Sequence, residues 1–208
     1  MEDVVVKESS FVLVEGRPGI GKSTLCWELS RQWDTFDSLR DFKVVLQLKL
    51  REKHVQEASS LSELFYHSDK ELSKAVVEEL SRCEGEGLLL ILDGLDEMPI
   101  SLVEDERKLI VELIRGICLP AATRLVTSRP SALYRKEDFF AHGYRHIEIL
   151  GFTEKQISKY AEVAFKSEPE ILTHFKNFIF SNPVISSLMQ IPINCAINST
   201  SLQGYEVE

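Results

Sequence analysis

Gly16-Arg17-Pro18-Gly19-Ile20-Gly21-Lys22-Ser23 is the stretch that decides how this chain is read. The apolar run Phe11-Val12-Leu13-Val14 stands before it, and Thr24-Leu25-Cys26-Trp27-Glu28-Leu29 follows with a helical character. Strand, glycine-rich turn and helix, in that order, form the setting in which G-x-x-x-x-G-K-[ST] binds phosphate. Gly16 and Gly21 permit backbone angles that a Cβ would block, so consecutive N–H groups can turn toward phosphate oxygens. The helix N-terminus adds partial positive charge. Lys22 offers a point charge to β- and γ-phosphates, and the Ser23 hydroxyl can ligate Mg²⁺. Arg17, Pro18, Gly19 and Ile20 inside the loop, and Thr24 just after it, complete the expected nucleotide-binding segment.

Outward from the loop, strand and helix signals alternate. The pattern predicts strands over 11–15, 42–50, 88–92, 124–127 and 146–150. It predicts helices over 22–33, 61–83 and 104–117. Leu72, Val76 and Leu80 are expected on one helical face, and Leu109, Ile110, Leu113, Ile114 and Ile117 on another. Leu88 to Leu92 is apolar throughout, as in the middle of a parallel sheet. The alternation implies an α/β fold: a doubly wound, five-stranded parallel sheet with helices on both faces.

The character changes at Gly151. Thr153 and Gln156 have capping-box spacing. Pro169 falls in a helical first turn, and Asn182-Pro183 opens another helix. The expected organisation is a nucleotide-binding domain over 1–151, a small helical subdomain over 152–198, and a frayed polar tail over 199–208.

Composition removes several function classes. The formal charge of -9, with no long basic block, argues against direct nucleic-acid binding. The Leu88–Leu92 run is too short to span a bilayer. The start, Met1-Glu2-Asp3-Val4, lacks a secretory pattern. Cys26, Cys83, Cys118 and Cys195 are irregularly spaced with no C-x-x-C, which argues for free thiols in a reducing cytoplasmic setting and against zinc.

Leu88-Leu89-Leu90-Ile91-Leu92-Asp93 is an apolar strand ending in an acid, the Walker B pattern. Asp93 would leave the sheet at the edge where the phosphate loop sits, and can hold Mg²⁺ opposite Ser23. Asp96 and Glu97 can polarise the water that attacks a γ-phosphate, with Asp96 the first choice. Arg129, in Thr127-Ser128-Arg129-Pro130, would emerge on the same edge and can contact the γ-phosphate, distinguishing ATP from ADP.

The loop 16–24, the segment LLLILDGLDE over 88–97 and the quartet 127–130 together resemble the NACHT domain. This is the nucleotide-binding module of NOD-like receptors, within the STAND class of P-loop ATPases. The Asp-Gly-x-Asp-Glu form carries most of the specificity. The segment from Phe152 resembles the family's first helical subdomain, and Ile191-Pro192 its adenine-packing proline. The resemblance implies an ADP-closed, ATP-open switch in innate-immune or cell-death-like signalling. It also implies slow Mg²⁺-dependent ATP hydrolysis and assembly with itself or with other NACHT proteins. The family's winged-helix subdomain, sensor repeats and effector domain have no counterpart in these residues, so an isolated nucleotide-binding fragment or regulatory protein without turnover is the alternative. A GTPase would need an Asn/Thr-Lys-x-Asp reader; the Lys136-Glu137-Asp138 tripeptide is preceded by Arg135. A small-molecule kinase would need an Arg-rich lid, and none stands out.

Overall fold

A computed structural model describes residues 11–35, 39–65, 70–103, 105, 107–130, 139 and 143–203. Lys136-Glu137-Asp138 and the end of the chain from 204 lie outside these residues. Among the described residues, five strands form one sheet: β1 (Phe11–Gly16), β2 (Val44–Lys49), β3 (Leu88–Asp93), β4 (Thr123–Ser128) and β5 (Arg145–Ile149), in the order β2-β3-β4-β1-β5. The β2·β3, β3·β4 and β1·β4 pairs run parallel. The expected five-stranded parallel α/β architecture is the one found.

Burial follows strand position. Every residue of β1 and β3 is buried, and β4 is buried from Arg124 onward, whereas β2 and β5 at the sheet edges are half-exposed. Leucine and isoleucine on both sides of β3 supply the continuous apolar run that a two-sided buried strand requires.

The helices of this unit are α1 (Lys22–Arg31), α2 (Lys53–Glu57), α3 (Lys70–Arg82), α4 (Ile100–Val103) and α5 (Leu109–Arg115). Two expectations need correction. The stretch from 61 divides into a 3₁₀ turn over Leu61–Phe65 and then α3. The buried stripe of α3 carries Ser73 and Leu80, which leaves Leu72, one residue round the helix, 63% exposed. The helix expected over 104–117 is α5 alone. Gly116 ends it in the left-handed region, φ 73°, and its N–H returns to the carbonyls of Glu112 and Leu113. Ile117 therefore lies past the cap and is exposed. A Cβ on Gly116 would also collide with the buried Arg124 guanidinium.

The chain divides into two compact units. One holds the chain up to Gly16 together with Lys22–Glu148, and the other holds Arg17–Gly21 with the chain from Ile149. The second unit contains α6 (Glu154–Ala164), α7 (Pro169–Ser181), α8 (Pro183–Met189) and α9 (Pro192–Gln203). Its core gathers Ile157, Ala161, Phe165, Phe175, Ile179, Met189 and Cys195, with the Phe165 and Phe175 rings 5.0 Å apart. Thr153 closes a full capping box with Gln156, and Asn182 caps α8 by accepting the Val184 and Ile185 N–H groups. The expected frayed tail is corrected in part. Helix α9 continues to Gln203, and buried Ser199 donates to the Ala196 carbonyl at 2.9 Å. No helix among the described residues is long and apolar enough to cross a membrane.

Candidate nucleotide site

Strands β3, β4 and β1 are neighbours and parallel, so their carboxyl ends share one sheet edge. Gly16, Asp93 and Ser128 are the last residues of those strands. Lys22 opens α1, and its ammonium donates to the Gly16 carbonyl at 2.7 Å. Burial holds the Lys22 pKa below its ordinary 10.5; Asp96, Asp93 and Glu97 oppose that shift, and Arg129 adds to it. Four groups nominated by the sequence thus act electrostatically on one lysine.

Asp93 is buried and its Oδ1 is doubly engaged. The Thr127 hydroxyl donates to it at 2.7 Å, and the Cys26 thiol approaches at 3.7 Å. Burial first, then the Asp93 charge, push the Cys26 thiol pKa well up, so it stays protonated and serves as a donor. The Thr127 oxygen also accepts the Gly94 N–H at 2.9 Å. Gly94 sits at φ 88°, where the chain leaves β3, and the Glu97 side chain lies over it. A 3₁₀ turn over Leu95–Glu97 then buries Leu95 and sets Asp96 and Glu97 at the edge.

Asp96 faces Arg129 with both oxygens. The Arg129 backbone N–H donates to Oδ1 at 3.0 Å, and Nε lies 2.9 Å from Oδ2. Glu97 has a looser partner, Arg51, at 3.9 Å. One residue before the loop, the buried Glu15 carboxylate meets His146 Nε2 of β5 at 2.8 Å.

In the second unit, Gly19 and Gly21 take positive φ, 73° and 105°. Gly16 does not; it ends β1 as an extended residue, which corrects the expectation that Gly16 supplies an unusual backbone angle. The Ile193 N–H reaches the Gly19 carbonyl at 3.4 Å, and Ile191 and Ile193 approach Gly19 from either side of Pro192, the first residue of α9. Ile20 is buried, while Arg17, Pro18 and Gly19 are exposed.

The NACHT domain family profile matches residues 10–168. The chain belongs to the NACHT domain family. It is 32% identical to the rat NACHT, LRR and PYD domains-containing protein 1a allele 5, over 95% of this chain and 17% of that protein. It is 30% identical to the human NACHT, LRR and PYD domains-containing protein 10, over 94% of this chain and 30% of that protein. This NACHT chain therefore spans less than a third of either relative. Among solved structures, C. elegans PCH-2 aligns with a TM-score of 0.46 at 16% identity, over 80% of this chain and 42% of its own.

The donors on the NACHT site's sheet side suit a hard cation. Ser23 and Thr24 are exposed on the first turn of α1, and the Ser23 hydroxyl makes no side-chain hydrogen bond among the described residues. Asp93 Oδ2 likewise accepts none, so an alcohol and a carboxylate oxygen would be available as hard donors to a divalent cation. The described residues hold no cluster of three or more His, Cys, Asp or Glu arranged for a metal. Sequence reading missed Cys26, Thr127, Arg51, Glu15 and His146 as participants. The hydroxyl of Thr127 was signalled only by its place two residues before Arg129.

Proposed function

We propose that this NACHT chain is an adenine-nucleotide-gated signalling module. Gly16 through Thr24 would cradle the phosphates, Ser23 and Asp93 would hold Mg²⁺, and Pro192 would pack against adenine. Mg²⁺, when bound, neutralises phosphate charge. Arg129 would read the γ-phosphate, and nucleotide state would gate association with a second copy or another NACHT protein in the cytoplasm. The observation that carries this reading is the meeting of Lys22 on Gly16, the fixed Asp93 and the Asp96–Arg129 pair at the carboxyl ends of three neighbouring parallel strands.

For hydrolysis, a carboxylate must take a proton from the attacking water as the β–γ bridge breaks and ADP leaves. Asp96 is the first choice on sequence, but Arg129 engages both of its oxygens. Glu97, 36% exposed and 3.9 Å from Arg51, is the better base here. The same engagement of Asp96 favours a second reading, in which nucleotide is held with little turnover.

Thermal unfolding with Mg-ATP, Mg-ADP and Mg-GTP tests the proposal. A ligand at about 100-fold over its Kd stabilises by about 2.7 kcal/mol. Stabilisation by adenine nucleotides alone, lost in a folded Lys22→Ala variant, is expected. Equal ATP affinity in that variant would remove the phosphate-loop assignment. Phosphate release separates the slow ATPase from the nucleotide holder, and size-exclusion chromatography reads nucleotide-dependent assembly.

A further inference from the structure

The geometry points to Thr127 as a positioning residue that aims the Asp93 carboxylate at the metal, with Cys26 as its auxiliary. This inference rests on the Mg-nucleotide reading above.

Strands β3 and β4 stay in register as far as Leu92 opposite Val126. At Gly94 the backbone turns into the left-handed region, and the main-chain ladder between these strands stops. The Gly94 N–H is left without a ladder carbonyl, and the Thr127 hydroxyl oxygen takes it at 2.9 Å. An amide N–H can only donate, so the hydroxyl accepts there and its single proton is free for another group. That proton goes to Asp93 Oδ1 at 2.7 Å. The bond is buried, short and charge-assisted, the class of hydrogen bond that best fixes orientation.

Cys26 adds a second donor to the same oxygen from the buried face of α1. Oδ1 is thus occupied from β4 and from α1, and Oδ2 is the oxygen left to face the sheet edge. Magnesium demands near-octahedral geometry and tolerates misdirected ligands poorly. A fixed carboxylate direction therefore bears on metal affinity, and outer-shell partners of this kind are worth about 10–100-fold.

The test is ATP affinity measured across a Mg²⁺ series, from excess EDTA to millimolar Mg²⁺, on the full chain and two variants. Thr127→Val keeps the shape and removes the hydroxyl; Thr127→Ser keeps the hydroxyl and removes the methyl. The expected result is a rise of about tenfold or more in the Mg²⁺ concentration giving half the affinity gain for Thr127→Val. ATP affinity in EDTA should stay within about twofold of wild type, and Thr127→Ser should restore the Mg²⁺ response. Should Thr127→Val not fold, Thr127→Cys gives the same comparison with a weaker donor of similar size. Wild-type Mg²⁺ dependence in the hydroxyl-free variant, or a loss of affinity in EDTA equal to that in Mg²⁺, overturns the positioning role alone. Absence of ATP binding by the wild-type chain in every condition overturns the nucleotide reading together with this one.

Discussion

Replacing Asp96 by asparagine tests whether Arg129 is held in reserve for a γ-phosphate. The carboxylate accepts the Arg129 N–H at 3.0 Å and pairs with its Nε at 2.9 Å. The asparagine side chain would keep an acceptor for the backbone N–H but place an amide N–H₂, or an uncharged oxygen, against the guanidinium. A hydrogen bond to a charged group contributes about 1.5–3 kcal/mol when well shielded. Asp96 is 11% exposed but Arg129 is 48% exposed, so solvent screening reduces the loss to about 1 kcal/mol. In a chain of this size that lowers Tm by about 2–4 °C in the nucleotide-free protein. The affinity effect has two parts. Removing a negative charge beside Lys22 favours every phosphate ligand, ATP and ADP alike. Releasing Arg129 favours only the ligand that carries a γ-phosphate. The ratio of ATP to ADP affinity isolates the second part; recovering about 1 kcal/mol raises it about fivefold. Calorimetric titration of both nucleotides into wild type and Asp96→Asn reads the ratio directly. An unchanged or reduced ratio, with both affinities moving together, would refute the idea that this ion pair restrains Arg129.

Alkaline pH gives an independent view of Lys22. Its folded pKa lies below the ordinary 10.5, chiefly through burial, so the ammonium is lost at a lower pH in the empty site than in the unfolded chain. The cost of burying that charge is present below the lowered pKa and relieved as pH rises through it. ATP affinity should fall over the same interval, with proton uptake on binding seen as a buffer-dependent enthalpy; a flat affinity up to 10.5 would contradict this. Gly116→Ala forces a Cβ into the left-handed region and against the buried Arg124 guanidinium, for a loss of about 2–3 kcal/mol and a Tm lower by about 5–10 °C. A shift under about 2 °C would mean that the α5 cap relaxes freely. Among the thiols, half-exposed Cys83 should be alkylated first in the native protein at mildly alkaline pH, while Cys26, buried with its pKa raised, resists until unfolding. Mass-spectrometric labelling of Cys26 at the Cys83 rate would overturn the buried Cys26–Asp93 contact.

What the sequence made legible was local. The apolar strand, the glycine loop and the helix start lie within one continuous stretch, and so do the LLLILD run and the acids after it. Their order along the chain was enough to place them at one sheet edge. Helix faces were less legible, because rotation about an axis depends on what the helix packs against. Leu72 fits the apolar spacing of α3 but faces outward, while buried Ser73 sits beside the core. The end of α5 was set by Gly116, whose second constraint, the Arg124 guanidinium, comes from a different element. The unread parts of the site were all long-range. Thr127 reaches Asp93 across 34 residues and Cys26 across 67, and no periodicity reports such a meeting. Glu15 and His146 join neighbouring strands far apart in the chain.

Three acids within five residues are held with three different degrees of freedom, and this bears on which tasks each can perform. Asp93 is buried, and its Oδ1 is fixed by a hydroxyl and a thiol. Moving it would leave the buried Thr127 hydroxyl without an acceptor for its proton, so it suits a ligand whose direction must not change. Asp96 is held by one arginine through two contacts, an arrangement that can be exchanged only when a stronger anion competes for that arginine. Glu97 pairs with an arginine that is 61% exposed, at 3.9 Å, a contact worth no more than about 1 kcal/mol. It can therefore change partners at little cost. A group that must accept a proton and then release it needs that freedom, whereas a group that reports occupancy needs a partner to lose. The ordering fixed, exchangeable, loose runs along the chain as Asp93, Asp96, Glu97. On the proposed function, it would make metal holding, γ-phosphate sensing and water activation separable by single substitutions.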